Sequence, residues 1–407
     1  MSFQQMISPT CFVGKAISHG LILVLFLMLA SCNRGAVRPG EGQVNAATPY
    51  QIASPATPAE YYVSPDGSED GEGSLSNPIN LTTALSRAAP GVTIYLRGGT
   101  YRTGATFGTS ADTWNISRSG SPTAQITILA YPGEKPIIKG HVRISGSYQR
   151  IAGLIFEGGL SRDPGSANER REVQVAIKDC HHIIFEENEV RNNDYHAGIY
   201  LSGVNNIEVV RSYIHDNGRF SLTQDPVSGS STYNVDHGLY WGSTNGGGNV
   251  ISNSVFEHNR GYGIQLYPSA SDIEVRQNTM VGNGNSGLVI SSGSDRIKVT
   301  NNVSAYNERN KQIRVQSGSS NLVTTNLVWS PSSSLSGIEN KTSSLVSGTI
   351  IVEPRFVDRL NHNYRLLSDS PAIDKGVALT QVRDDFDKVP RPQGSGHDIG
   401  AFELVQR

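Results

Sequence analysis

Residues 249–307 read NVISNSVFEHNRGYGIQLYPSASDIEVRQNTMVGNGNSGLVISSGSDRIKVTNNVSAYN and repeat one pattern. In each copy, short runs of alternating apolar residues are separated by polar turns, and each copy carries an asparagine at the same point. The asparagines at that point are Asn193, Asn217, Asn259, Asn283 and Asn307. They are 24, 42, 24 and 24 residues apart, so the long interval is one repeat lengthened by 18 residues. A fixed period of this length is the mark of a repeat architecture.

A second column of polar residues lies five positions earlier in each copy: Asn188, Ser212, Ser254, Asn278 and Asn302. A period of 24 accommodates three short strands and three turns, which is one coil of a parallel β-helix. Asparagines that recur once per coil can stack, each amide bonding its neighbours in the coils above and below. β-Propellers and leucine-rich arrays have other periods and signatures. We therefore predict an all-β, single-stranded, right-handed parallel β-helix.

The first residues read as a targeting segment. Lys15 and His19 precede the apolar run of residues 21–29, which is too short to span a bilayer as a folded helix. The following Leu29-Ala30-Ser31-Cys32 resembles the lipobox of bacterial lipoproteins. That resemblance implies removal of residues 1–31, acylation of Cys32, and export to the outer membrane or the cell surface. Residues 32–59 are rich in Pro, Ala and Gly and are expected to form a flexible tether.

The β-helix is expected to occupy residues 60–353 and to begin with a cap. A short helix is predicted with one apolar face, formed by Leu81, Ala84, Leu85 and Ala88. The stretch from YYVSPDG through NLTTALSRAAPGVTIYLRGGTY resembles the N-terminal cap of polysaccharide-lyase β-helices, especially the pectate-lyase and chondroitinase/alginate-lyase types. The resemblance implies an acidic polysaccharide as substrate or ligand.

Residues 354–407 break the period. They contain SPAIDKG, DDFDKVPRP and HDIGAFE and resemble the closing segment of bacterial surface β-helix proteins. We expect their acidic residues to cap turns and the segment to seal the end of the solenoid, with calcium binding as the alternative.

The charge balance and the cysteine content argue against some classes of protein. Lys and Arg total 34 and Asp and Glu total 36, a net charge of −2, without the basic excess typical of nucleic-acid-binding proteins. After loss of Cys11 and acylation of Cys32, Cys180 has no partner for an intramolecular disulfide and is expected to be buried. We expect a monomer held at the membrane by its lipid anchor.

Alignment of the coils on a recurring Gly-Ile/Leu step predicts columns of side chains along one face. One outward column would contain Tyr200, Tyr240, Gln265, Val289 and Arg314. Aromatic and histidine side chains concentrate on three neighbouring coils of this face: Tyr200, Tyr240, Tyr262, Tyr267, His196, His237 and Trp241. Sugars need stacking faces and hydrogen bonds together, so this face is the predicted glycan site. The 18-residue insertion, about residues 219–234, would rim it.

The expected chemistry is β-elimination on a uronic-acid-containing polysaccharide. It needs a cation for the C6 carboxylate, a base for the C5 proton and an acid for the leaving oxygen. His237 is the preferred base and Lys178 the alternative, while Tyr240 or Tyr262 would be the acid. The predicted substrate-binding residues are His196, Tyr200, Trp241, Gln265, Tyr267, Lys311 and Arg314.

The chain departs from the families it resembles in its acidic residues. Calcium-dependent pectate lyases of this architecture use a tight cluster of Asp ligands and a catalytic Lys, whereas Asp194, Asp216, Asp225 and Asp236 are scattered here. The NGE-type calcium motif of the chondroitinase/alginate-lyase group is also missing. No cofactor is certain, and Asp194 with Asp236 are the candidate ligands if Ca²⁺ binds.

Two classes of function remain open. The first is a cell-surface lyase, with a C5-epimerase or a glycoside hydrolase as alternatives on the same scaffold. A hydrolase would need paired carboxylates facing the groove, of which the columns offer few. The second is a non-catalytic glycan-binding or structural surface protein.

Overall fold

The computed structural model describes residues 60–105, 112–158, 173–225 and 228–405. The targeting segment, Cys32 and the tether lie outside these ranges. No helix within them is long and apolar enough to cross a membrane.

Three parallel sheets form the walls of a right-handed parallel β-helix, as the period predicted. Among the described residues, the first sheet contains eleven strands: Glu60–Ser68, Thr93–Leu96, Ile126–Ala130, Gln149–Ala152, His181–Glu186, Asn205–Val210, Asn249–Ser252, Ile273–Arg276, Lys298–Thr300, Leu322–Thr324 and Leu345–Ser347. The second contains nine: Thr113–Ile116, His141–Ile144, Val175–Lys178, Ala197–Ser202, His237–Ser243, Ile264–Ser269, Leu288–Ile290, Ile313–Val315 and Ile338–Asn340. The third also contains nine: Gly99–Tyr101, Pro136–Lys139, Ile155–Glu157, Glu189–Arg191, Tyr213–His215, Val255–Glu257, Thr279–Val281, Val303–Ala305 and Leu327–Trp329.

The core lies inside the coil and follows from the alternation of apolar residues along each strand. In the second sheet the inward side chains stack in one fully buried column: Ile199, Leu239, Ile264, Leu288 and Ile313. Because neighbouring side chains of a strand point to opposite faces, the residues beside this column point outward. The outer face of the second sheet therefore presents columns of outward residues that run from coil to coil.

The predicted asparagine columns are stacked and buried. The Nδ2 amide groups of Asn217, Asn259 and Asn283 each donate to the Oδ1 of the next asparagine in the column, at 2.9–3.0 Å. A residue with positive φ precedes each ladder position, for example Asp216 (52°) and His258 (45°). These left-handed residues turn the chain so that the following side chain points into the bend.

The N-terminal cap has the predicted helix, Leu81–Arg87. Its N-cap is Asn80, whose side chain accepts a 2.8 Å hydrogen bond from the backbone N–H of Thr83. The apolar face formed by Leu81, Ala84, Leu85 and Ala88 is buried against the first coils, as predicted. Cys180 is also buried, and burial raises the pKa of its thiol to about 12.

The C-terminal segment, by contrast, does not lie across the end of the coil as predicted. It begins with the hairpin of Phe356–Asp358, the 3-10 turn Arg359–Asn361 and Asn363–Leu366, and packs along the outer face of the third sheet. The reason is that this face carries outward apolar residues, including Val281, Val303 and Leu327, which need covering.

The turn-capping role expected of the acidic residues in this segment is confirmed for Asp385 and Asp398. Asp385 accepts hydrogen bonds from the backbone N–H groups of Asp387, Val389 and Glu403. Asp398 accepts from the N–H groups of Asp374 and Leu404.

Candidate functional site

The outward column of the second sheet has the order predicted from the sequence. Tyr200 is in register with Tyr240, and Tyr240 with Gln265. The column continues through Val289 to Arg314. Strand neighbours in a sheet are about 4.8 Å apart, so the exposed side chains of successive coils can contact several units of a linear polymer. Val289, which is 1% exposed, is a covered position in this column.

The structure extends this column at both ends. Towards the N-terminus it adds Ala176 and Arg143, and towards the C-terminus it adds Glu339. The alignment from the sequence missed Arg143, because residues 145–174 do not follow the 24-residue period. The alternation in HVRI, with buried Val142 and Ile144 on either side of exposed Arg143, was the available signal.

Two adjacent clefts follow this column. The first has a volume of about 630 Å³, and its lining includes Arg143, Lys178, Tyr195 and Tyr200. The second has a volume of about 670 Å³, and its lining includes His237, Tyr262, Gln265, Tyr267, Arg314 and Gln316. His196, Val235 and Tyr240 line both clefts. These three residues therefore mark the junction of one groove, which we call the glycan groove.

The insertion forms a wall of this groove, as predicted: Ser228, Ser230 and Val235 line the first cleft. An ion pair joins the two ends of the insertion: the guanidinium of Arg219 contacts both carboxylate oxygens of Asp236, at 2.6 and 2.9 Å. The same guanidinium bonds Asp225 at 3.0 Å. Buried ion pairs thus hold the insertion beside the junction.

Tyr233 anchors the insertion on its other side. Its ring lies between the guanidinium groups of Arg260 and Arg309, at 3.8 and 3.5 Å from the ring centre. Its carbonyl accepts a 3.0 Å hydrogen bond from the amide of Asn285.

His237 lies in the floor of the second cleft with only 1% of its surface exposed. Its Nδ1 accepts a 3.2 Å hydrogen bond from the backbone N–H of Tyr262. Burial, and then the charge of nearby His196, hold the pKa of His237 well below its usual value, so its ring is neutral. The prediction of His237 as the base that reaches the substrate does not fit this burial.

Tyr240 lies at the junction and is half-buried. Burial, and then the neighbouring Tyr200 and Tyr267, raise its pKa to about 12. The phenol therefore keeps its proton at neutral pH and can donate it. His196 is also half-buried there; its backbone is left-handed (φ 61°), and its carbonyl accepts a hydrogen bond from the N–H of His237 at 2.6 Å.

Tyr262 is 6% exposed, and its hydroxyl accepts a 3.3 Å hydrogen bond from Arg314. Burial raises its pKa even though Arg314 opposes the rise. Arg314 also pairs with Glu339 at 2.7 Å. Gln265 and the more exposed Tyr267 (39%) complete the lining on this side, consistent with their prediction as substrate contacts.

Two predicted substrate contacts lie elsewhere. Trp241 is fully buried in the core, in register with Leu201 and Leu266, because it follows the outward Tyr240 and must point inward. Lys311 lines neither cleft, and its Nζ donates to the carbonyl of Ser336 at 2.6 Å.

Lys178 does face the first cleft, with its Nζ 5.8 Å from the ring centre of Tyr200. In the part of the chain that the structure describes, neither Lys178 nor Arg143 forms a salt bridge. Both cations are therefore available to an acidic ligand.

Of the two predicted calcium ligands, Asp236 already has a cationic partner. Asp236 is fully buried, and both of its oxygens contact Arg219. Asp194 is half-buried in the turn before Tyr195. Within the described ranges, no group of three or more His, Cys, Asp or Glu side chains could hold a metal ion. Calcium binding by Asp194 therefore stays a prediction.

Comparison with known proteins is consistent with this architecture. A family model described as "Pel9A-like, right handed beta helix region" matches residues 61–295. Pectate lyase PEL9 of Emericella nidulans is 32% identical over 178 residues, which cover 44% of this chain and 37% of that protein. Pectate lyase L of Paenibacillus polymyxa is 26% identical over 276 residues, which cover 64% of this chain and 54% of that protein. The chain thus spans between about a third and a half of the length of these two relatives.

The crystal structure of pectate lyase Pel9A superposes with a TM-score of 0.57 at 16% identity, covering 86% of this chain and 97% of that one. At this identity the likeness concerns the fold.

Proposed function

Because this chain belongs to the Pel9A-like right-handed β-helix family, we propose that it is a polysaccharide lyase that cleaves a uronic-acid-containing polymer by β-elimination in the glycan groove. One observation carries the proposal. Arg143, the rings of Tyr200 and Tyr240, the amide of Gln265 and Arg314 lie along one outward column that two adjoining clefts follow, and the insertion walls the junction of the clefts. A linear acidic polymer matches that surface in shape and in chemistry.

Lys178 and Arg143 supply the positive charge in this proposal. A carboxylate at C6 of the sugar acidifies the C5 proton only when its own charge is neutralised. Both cations border the first cleft and neither is engaged by a carboxylate within the described residues. They are therefore assigned to the sugar that reacts.

His196 and Tyr240 are assigned the proton transfers, because a sugar that crosses the junction contacts both. His196 accepts the C5 proton, the electron pair of that bond forms the C4–C5 double bond, and the C4–O4 bond breaks. Tyr240 protonates the departing O4, since its raised pKa keeps the hydroxyl protonated at neutral pH. His237 is buried and neutral and forms part of the floor of the second cleft.

The test is incubation of the purified protein with pectate, alginate and glycosaminoglycans, with and without added calcium, while the ultraviolet absorbance of the unsaturated product is followed. We expect cleavage of at least one polymer. Tyr240→Phe, His196→Gln and Lys178→Met should each lower kcat/KM by about 10²-fold or more. Matched controls on the first sheet and its flank, Lys298→Met and Tyr131→Phe, should retain full activity. Cleavage unaffected by all three groove variants would contradict the assignment.

A second candidate is a non-catalytic glycan-binding protein. The specific observation in its favour is that His237 is buried and hydrogen-bonded, so the groove has fewer reactive groups than the sequence suggested. Binding of a polyuronate without any unsaturated product would establish this alternative. Exchange of the C5 hydrogen with deuterated solvent, without chain cleavage, would instead indicate an epimerase.

We propose export and lipid anchoring at Cys32 on the strength of the lipobox resemblance alone. Incorporation of labelled palmitate that is lost in Cys32→Ser would support it, and unchanged labelling would contradict it.

A further inference from the structure

The two clefts of the glycan groove differ in charge, and we propose that the groove selects a mixed polysaccharide, with a uronic acid in the first cleft and an uncharged sugar in the second. This inference rests on the proposed function, because it names the class of polymer that the same groove would bind. It would exclude a simple homopolymer of uronic acids as the preferred ligand.

The first cleft has an excess of available positive charge. Arg143 is exposed and Lys178 is half-buried, and neither forms an ion pair within the described ranges. Asp225, a carboxylate that borders this cleft, contacts Arg219 at 3.0 Å, but Arg219 also pairs with Asp236. These three side chains together carry one negative charge, which leaves the two cations of the cleft in excess by one. A sugar carboxylate entering here meets two cations that no carboxylate contacts among the residues that the structure describes.

The second cleft offers no such cation. Arg314 is the one positively charged residue in its described lining, and Glu339 already pairs with it at 2.7 Å. Lys341 contacts the other carboxylate oxygen of Glu339 at 3.2 Å, is 58% exposed, and does not line the cleft. The remaining polar groups are uncharged and include Gln265, Gln316 and the neutral His237.

This difference decides which sugar each cleft accepts. A carboxylate placed in the second cleft would lose water without gaining a free counter-ion, and that loss is unfavourable. An uncharged sugar loses less, and it gains stacking against Tyr267 and hydrogen bonds from the two glutamines. The order of the clefts along the coil therefore corresponds to an order of sugars along the polymer.

The experiment measures binding to the whole protein by calorimetry with three hexasaccharides of equal length. One is hexagalacturonate, one alternates galacturonic acid with rhamnose, and one alternates glucuronic acid with N-acetylglucosamine. We expect at least one alternating hexasaccharide to bind about tenfold or more tightly than hexagalacturonate. Equal or tighter binding of hexagalacturonate would overturn the inference.

Charge variants make the test specific. Glu339→Gln releases Arg314 and should raise the affinity for hexagalacturonate by about fivefold, with little change for the alternating ligands. Gln316→Lys adds a cation to the same cleft and should act in the same direction. Glu274→Gln, which breaks pairs with Arg276 and Lys298 on the first sheet, is the matched control and should change nothing. A thermal melt of each variant checks folding.

The outcomes separate the inference from the function on which it rests. If no polysaccharide binds or is cleaved, the proposed function fails. If hexagalacturonate is cleaved best and neither Glu339→Gln nor Gln316→Lys improves its binding, the function stands and the inference about the mixed polymer is wrong.

Discussion

Arg219 and Asp236 lie at opposite ends of the insertion, and three hydrogen bonds join them. The backbone N–H and the Nε–H of Arg219 donate to one oxygen of Asp236 at 2.8 and 2.9 Å, and the Nη2 group donates to the other at 2.6 Å. Both side chains are almost fully buried, and the ring of Tyr195 lies 4.3 Å from the guanidinium carbon. Together with the bond from Arg219 to Asp225, this contact fixes the wall of the groove at its base.

Arg219→Met should leave the carboxylate of Asp236 buried without its partner. We expect the free energy of unfolding to fall by about 3 kcal/mol and the insertion to become open to protease. Urea denaturation and limited proteolysis measure the two effects. Glycan binding should weaken as well, because Val235, which lines both clefts, is adjacent to Asp236.

The control for this prediction is Arg296→Met. Arg296 pairs with Asp272 at 2.6 Å, but the two side chains are 57% and 37% exposed, so its loss should change stability by less than about 1 kcal/mol. Equal effects of the two variants would show that burial does not govern the Arg219 pair.

Asn283→Ala should be strongly destabilising. The amide of Asn283 donates to the carbonyl of Phe256 at 3.0 Å and to Asn307 at 2.9 Å, while its oxygen accepts from Asn259. Its removal leaves several buried groups unpaired, for which we expect a loss of about 3 kcal/mol in the free energy of unfolding. Asn115→Ala on an exposed strand position is the comparison and should be nearly neutral.

His215 makes stability depend on pH. Burial opposes its charge, but hydrogen bonds to Asp216 and Glu189 outweigh burial and raise its pKa from 6.5 to about 9. The protonated form is thus favoured in the folded state. The stabilisation is fully present below pH 6.5 and is lost as the pH rises towards about 9.

The matching experiment compares urea denaturation of the protein and of His215→Gln at about pH 6 and about pH 9.5. The difference between the two proteins should shrink by at most about 3 kcal/mol across that interval. A difference that stays constant would mean that His215 is not charged in the folded state. Both proteins retain His258, which also bonds Asp216.

Phe402→Ala should weaken the attachment of the C-terminal segment. Phe402 is 6% exposed, packs against Phe386 with ring centres 5.2 Å apart, and belongs to the apolar cluster on the third sheet. A cavity at this position should lower the free energy of unfolding by about 3 kcal/mol. Leu360→Ala, at a side chain that is 75% exposed, should have little effect, and denaturation of both variants tests the contrast.

The asparagine columns illustrate what periodicity alone can predict. Apart from the coil with the insertion, the ladder positions recur every 24 residues. Because one coil has that length, residues 24 apart come into register, and Asn259 and Asn283 are in contact as their spacing predicted. The order of Tyr200, Tyr240 and Gln265 followed from the same argument. Trp241 was assigned wrongly to the groove, although alternation along its strand already placed it on the inner face.

Other features depend on contacts between distant parts of the chain. The burial of His237 follows from the insertion and from the neighbouring coil, whose Tyr262 N–H binds its ring. Arg143 also lines the groove, although residues 145–174, which follow it in the chain, do not have the 24-residue period. The C-terminal segment lies along the third sheet because Val303 and Leu327 are outward and apolar, a property that becomes visible once the strands are in register.

By itself, the sequence determined the coil, its register, its cap and the face on which aromatic residues gather. It could do so because these depend on short or regular intervals in the chain: two residues along a strand, three or four along the cap helix, and 24 from one coil to the next. Only the tertiary structure decided which groups of that face are exposed, which cations are already paired and where the last segment packs. Exposure and charge pairing depend on what a loop or a later coil places against a residue, and no interval in the chain encodes that.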